Sequence, residues 1–172
     1  MSRIESYADA VLAVGRAEGD VGRLESDLHA FADAVSASSE LQNTLGEGSI
    51  PAARRQQIVE DVLKGKAAQA SAAAISMLVG AGRASELSEI ARVVSTKVAG
   101  ERGAAYAEVR SAVPLTEEQT SRLAAALSES VGRQVSVRVT IDPTVIGGLV
   151  TQIDDTVIDL SLIHISEPTR LQ

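Results

Sequence analysis

The chain has 172 residues, a formal net charge of −7 and a pI near 4.9. An acidic surface without a Lys/Arg cluster repels phosphate backbones, which argues against a nucleic-acid partner. The lack of cysteine excludes disulfides, thiolate chemistry and Cys-based zinc sites, and no apolar run approaches the ~20 residues needed to span a bilayer.

Apolar residues make up 45% of the chain, yet Tyr7, Phe31 and Tyr106 are its only aromatics. The core must therefore come from Ala, Val, Leu and Ile, whose small side chains let helices approach closely. The opening segment MSRIESYADAVLAVG lacks a long apolar stretch and a cleavage site, so no signal peptide is expected.

Residues 3–111 read largely as successive helices. Ile4, Tyr7, Ala8, Val11 and Leu12 mark one face of a first helix. Leu24, Leu28, Phe31 and Val35 form the stripe of a second. A short helix should end at Gly46 and Gly48, and Ser49-Ile50-Pro51 should open the next, with Pro51 in its first turn. Ile58, Val59, Val62 and Leu63 continue that helix until Lys64-Gly65-Lys66. An alanine-rich helix follows over 67–79, with Ile75, Leu78 and Val79 near its end. Leu87, Ile90, Val94 and Val98 mark the last helix, loosened at Gly100 or Gly103. Short connections predict antiparallel neighbours.

Near residue 105 the pattern changes from helical to alternating. AYAEVRS reads as a strand, and Thr116 with Gln119 forms a capping-box pattern. The helix it opens should bury Leu123, Leu127 and Val131. Val135, Val137, Val139 and Ile141 alternate with Ser136, Arg138 and Thr140, as a half-buried strand requires. Asp142-Pro143 ends it, and two short strands should flank a turn at Asp154-Asp155. The expected fold is mainly α: an N-terminal six-helix bundle over 1–104 and a small α+β domain over 105–161. Residues 162–172 read as an atypical, foreign tail.

Chemistry-bearing motifs are lacking. No phosphate loop, dinucleotide fingerprint, HExxH or GxSxG motif is present, and no spacing suits a metal or a cofactor. His29, beside Leu28, reads as a surface or boundary residue, and His164 falls in the tail. Glu117-Glu118 suits the first turn of a helix, Asp154-Asp155 suits a turn, and Gly147-Gly148 suits a tight strand entry. A small enzyme built on Asp142 or His29 would need a concave polar site that these aliphatic stripes do not suggest. Function should lie in surfaces. The helix bearing Tyr7, Val11 and Leu12 is a candidate wall for a partner helix, and the same stripe equally suits the bundle's own core.

Several segments resemble one family. YADAVLAVGRAEG, LGEGSIPAARRQQIVEDVL, SAVPLTEEQ, VTIDPTVIGGLV and DTVID are similar to the delta subunit of the F-type ATP synthase, whose mitochondrial counterpart is the oligomycin-sensitivity-conferring protein. The likeness runs over about 3–161, and Pro114-Leu115-Thr116, Asp142-Pro143 and Ile146-Gly147-Gly148 carry most of it. It implies a non-catalytic stator subunit that links the N-terminal segments of the alpha subunits to the b-subunit peripheral stalk. Proton flow would thereby stay coupled to ATP synthesis. No cofactor is implied, and membrane association would come only through the complex, at the cytoplasmic face of the bacterial plasma membrane. By helix order, the alpha-binding groove would involve Tyr7, Val11 and Leu12 with Ile75, Leu78 and Val79. Asp154 and Leu160 stand where the family has glycines, and SLIHISEPTRLQ replaces its terminal helix. The C-terminal domain is therefore expected to be the less stable one. A free-standing helical adaptor is the alternative reading.

Overall fold

The computed structural model describes residues 2–46, 48–146, 148–153 and 156–159, the last four by backbone alone. Asp154, Asp155, Gly147, Leu160 and the tail over 162–172, on which expectations were placed, lie outside the described residues. The helices are α1 (Arg3–Glu18), α2 (Val21–Ala37), α3 (Ser39–Gly46), α4 (Ala52–Leu63), α5 (Gln69–Gly80) and α6 (Leu87–Glu101). A 3-10 turn, Ala84–Glu86, precedes α6. Then come β1 (Ala105–Ser111), α7 (Glu117–Val131), β2 (Val135–Ile141), β3 (Leu149–Ile153) and β4 (Thr156–Asp159). The architecture is a helix bundle followed by a small α+β region. The chain divides into two compact units, Met1–Val94 and Ser95–Gln172, with the division inside α6.

In the first unit, α1 and α2 both pack on α5, and α4 lies along α5. Ser2 caps α1 by accepting from the Glu5 N–H, and Asp20 caps α2 by accepting from Arg23. At Gly15, α1 and α2 approach closely. A Cβ there would stand 2.9 Å from Leu24 Cδ2 and 3.3 Å from Val21 Cα. Pro51 sits at the N-cap of α4 and not within its first turn, so its missing N–H costs the helix nothing. The core includes Ala8, Val11, Leu12, Leu24, Leu28, Phe31, Val59, Ile75, Leu78 and Ile90, each at most 2% exposed.

His29 corrects the sequence reading: it is buried, with 5% exposure. Its helix meets α1, α3 and α5, so the enclosed arc is wider than the single stripe Leu24–Leu28–Phe31–Val35. The last helix runs through Gly100 to Glu101, and the chain leaves it at Gly103.

In the second unit the sheet order is β2-β1-β3-β4. β1 pairs parallel with β2, Ala105 opposite Val135, and antiparallel with β3, Ala107 opposite Ile153. β3 pairs antiparallel with β4. A parallel pair needs a crossover, and α7 supplies it. Leu123 and Leu127 of α7 pack on Ala105, Ala107, Val109, Val135 and Ile153. On the other face of β1, Tyr106 joins Ala99 and Ala104.

Both halves of the capping box form: Gln119 N–H donates to Thr116 Oγ1 at 3.1 Å, and Thr116 N–H donates to Gln119 Oε1 at 2.9 Å. Gly132, at φ 84°, terminates α7 in the left-handed region that glycine favours. Two apolar positions depart from expectation. Val131 is 37% exposed because it closes the last turn beside Gly132, and Ile141 is 48% exposed at the end of the edge strand β2.

Candidate protein-docking surface

The residues singled out on α1 and α5 do come together, since the two helices are in contact. Their placement is interior. Val11, Ile75, Leu78 and Val79 are 0% exposed and Leu12 is 2%, while Tyr7 is partly exposed. On α1 the neighbouring stripe Tyr7, Ala10 and Val14, at spacings of three and four, is partly exposed. On α5 the corresponding stripe is Ala70, Ala73 and Met77, and Met77 is 36% exposed. These outer stripes went unread because periodicity finds the side of a helix that is buried and says little about its shoulders.

The Tyr7 end of this seam carries charge. The Arg83 guanidinium, just past α5, lies over the Tyr7 ring with 5.8 Å between its carbon and the ring centre. This contact places the start of α1 beside the chain that follows α5. Arg83 Nη1 donates to Glu86 Oε1 at 2.9 Å, and Arg3 Nη2 donates to Glu86 Oε2 at 3.0 Å. The Arg83 guanidinium, with Arg3 beside it, holds the Glu86 carboxyl below the usual carboxylate range. Glu86 in turn raises Arg83 further above neutrality.

The α5 scaffold under this surface has no side-chain cap of its own; its N-cap is Ala68. Other helices supply the missing groups. Asp27 of α2 accepts from the Ala68 N–H at 3.0 Å and is itself held by Arg23 Nε at 3.0 Å. At the opposite end, Arg55 of α4 donates to the carbonyls of Val79 at 3.3 Å and Gly80 at 3.2 Å, and also to Ile50. A carboxylate thus faces the positive end of the helix and a guanidinium its negative end. Burial pushes the Asp27 carboxyl up, but the Ser71 hydroxyl beside it, the Ala68 N–H and Arg23 outweigh this and leave it below the usual range. These pairings join residues far apart in sequence, where no local signal points to them.

Nothing at the other polar features suggests a reaction. Asp142 accepts from Thr144 N–H at 3.0 Å and Thr144 Oγ1 at 2.6 Å, and lies 3.8 Å from Arg110. Those Thr144 bonds, aided by Arg110, hold its carboxyl down and commit it to the turn after β2. A cleft of about 420 Å³ beside α2 and α3 is lined by Ser36, Gln42, Asn43 and Ser88 among small apolar groups. Ser36 and Ser88 hydroxyls meet at 3.4 Å, and Gln42 is spent on the carbonyls of Val35 and Ser36. Among the described residues, no group of acidic residues or histidines is arranged to hold a metal ion. No described helix is long and apolar enough to cross a membrane.

Comparison with known proteins returns one consistent family. The model described as "ATP synthase delta (OSCP) subunit" matches residues 4–165. The chain is 32% identical over 151 residues to the ATP synthase subunit delta of Rhodococcus opacus, covering 88% of this chain and 54% of that protein. It is also 32% identical over 157 residues to the subunit delta of Maricaulis maris, covering 91% of this chain and 88% of that one. It spans little more than half the length of several relatives, the Rhodococcus protein among them. A chain in the cryo-EM structure of the Toxoplasma gondii mitochondrial ATP synthase hexamer has the same fold. Its TM-score is 0.63 at 18% identity, with 100% of this chain and 97% of that chain covered.

Proposed function

The chain belongs to the ATP synthase delta (OSCP) subunit family, and from that membership we propose that it is a non-catalytic stator subunit of an F-type ATP synthase. The observation that carries this reading is the family match over residues 4–165, which extends through both compact units. On this reading the bundle, residues 1–104, holds N-terminal segments of the alpha subunits, and residues 105–161 hold the b-subunit peripheral stalk. The subunit then resists the torque of the rotating shaft, so that proton flow stays coupled to ATP synthesis. It sits at the cytoplasmic face of the bacterial plasma membrane through the complex. Two attached domains that each grip a different partner raise the effective concentration of one contact once the other has formed.

Within the bundle, the proposed docking surface is the α1–α5 seam. Val11, Leu12, Ile75, Leu78 and Val79 form its floor from within. Tyr7, Ala10 and Val14 on one shoulder and Ala70, Ala73 and Met77 on the other present the small apolar faces on which an amphipathic helix can lie. A polar group on a shoulder tests this surface without breaking the core. The full chain should co-sediment with cognate catalytic head stripped of its delta subunit, and a soluble b-subunit fragment should then join. Met77→Asp should weaken the first step by about tenfold and leave the helical signal unchanged. Binding to neither the head nor the b fragment would remove the stator reading.

A further inference from the structure

The charged corner at the end of the seam selects what can dock there. Arg3 and Arg83 share a single carboxylate, Glu86, and each of its oxygens takes one guanidinium. Each guanidinium has five N–H donors, so most of the donors in this cluster are not used on Glu86. Two guanidiniums thus share one carboxylate, on a chain whose net charge is −7. The Arg3 side chain is 61% exposed and that of Arg83 27%. Arg83 cannot swing freely, because it is tied to Glu86 on one side and lies over the Tyr7 ring on the other. A fixed guanidinium beside a partly exposed apolar stripe suits a planar acceptor that arrives together with an apolar face.

Building on the docking reading above, we propose that Arg83, assisted by Arg3, is a specificity determinant that selects a partner helix carrying a carboxylate beside its apolar stripe. The acid lands next to Tyr7 while the apolar face covers Val14, Ala73 and Met77. Glu86 is then an internal competitor: it holds the guanidiniums in place and also shields part of their charge. That dual role separates selection from mere support. If Glu86 were only a scaffold, its removal would weaken docking; if it competes, neutralising it strengthens docking of an acidic helix.

The test uses the full chain and two synthetic peptides. One covers the N-terminal helical segment of the cognate alpha subunit, and the other is the same peptide with each Glu and Asp replaced by Gln and Asn. By calorimetry at low salt the acidic peptide should bind about fivefold more tightly than its amide twin. Arg83→Gln should abolish that preference and leave the weaker, salt-independent binding common to both. Glu86→Gln should tighten the acidic peptide only. Should Arg83→Gln fail to fold, Arg3→Gln must still reduce the preference, and Glu86→Gln must still raise it. Equal binding of the two peptides, or weaker acidic-peptide binding in Glu86→Gln, overturns the selection role while leaving the docking surface standing. Failure of both peptides to bind overturns the surface and the selection role together.

Discussion

At the residue scale, Asp27 illustrates how one side chain replaces a missing cap. The N–H at Ala68 has no partner from its own segment, and Asp27 accepts from it while paired with Arg23. Asp27→Ala should remove both the cap and the ion pair, lowering stability by about 1–2 kcal/mol in denaturant melts. The pH dependence follows from the lowered pKa. A carboxyl whose folded value lies below its unfolded one stabilises the fold above the unfolded value, roughly pH 4, and loses that contribution as pH falls through the folded value. The stability difference between wild type and Asp27→Ala should thus be constant from neutrality to about pH 5 and shrink as the pH falls below about 4. A difference that persists unchanged at pH 2 would mean that the charge of Asp27 contributes nothing.

Between elements, the decisive contact is Gly15. Its missing side chain lets α1 come against Val21 and Leu24, and Leu24 is only 2% exposed. Gly15→Val should cost about 1–3 kcal/mol, because the added carbons meet the backbone of α2 and a side chain with no room to retreat. Gly22 is the control: it is exposed in the same pair of helices, and a Cβ there meets nothing within 4 Å. Gly22→Ala should be neutral or raise stability by up to about 1 kcal/mol through helix propensity. A melting temperature lowered by Gly15→Val and held or raised by Gly22→Ala would establish that the contact, and not glycine content, sets the cost.

These elements also show where sequence stops being informative. The helices, the capping box at Thr116 and Gln119, and the alternating strand over 135–141 were legible because their signals are local. So was the turn at Asp142-Pro143. Burial beyond one stripe was not: His29 sits inside because three helices surround α2, and Val131 and Ile141 reach solvent because they stand at the ends of their elements. For the proposed docking surface, the family resemblance pointed to α1 and α5, and the residues it named on them, apart from Tyr7, face inward. The shoulders Ala10, Val14, Ala70, Ala73 and Met77, the shared carboxylate Glu86 and the clamps Asp27 and Arg55 depend on neighbours that no spacing encodes.

For the whole molecule, the two compact units lead to an unequal division of stability. In the first unit, the described core contains large side chains removed almost completely from water, including Phe31, Leu12, Leu28, Ile75 and Ile90. The described core around the sheet relies on Ala105, Ala107, Val109, Val135, Leu123, Leu127 and Ile153. Among the described residues, Val113, Val131, Ile141 and Ile146 all lie in the second unit and stay exposed, Ile146 at 93%. Apolar burial contributes roughly 25 cal/mol per Å², so the described part of the second unit gains less from the same kinds of residue. Amide exchange should therefore show higher opening free energies across α1, α2 and α5 than across β1–β3 and α7. Thr116→Ala, which removes one half of the capping box, should lower protection by about 1 kcal/mol in the second unit and leave Asp27's unit unchanged. The converse holds for Asp27→Ala. Equal protection in both units would remove this order of stability, and a Thr116→Ala loss spread evenly over the chain would mean that the two units open as one body. On the proposed stator reading, a single opening unit would carry load as one rigid piece, whereas separable opening makes the second unit the compliant one.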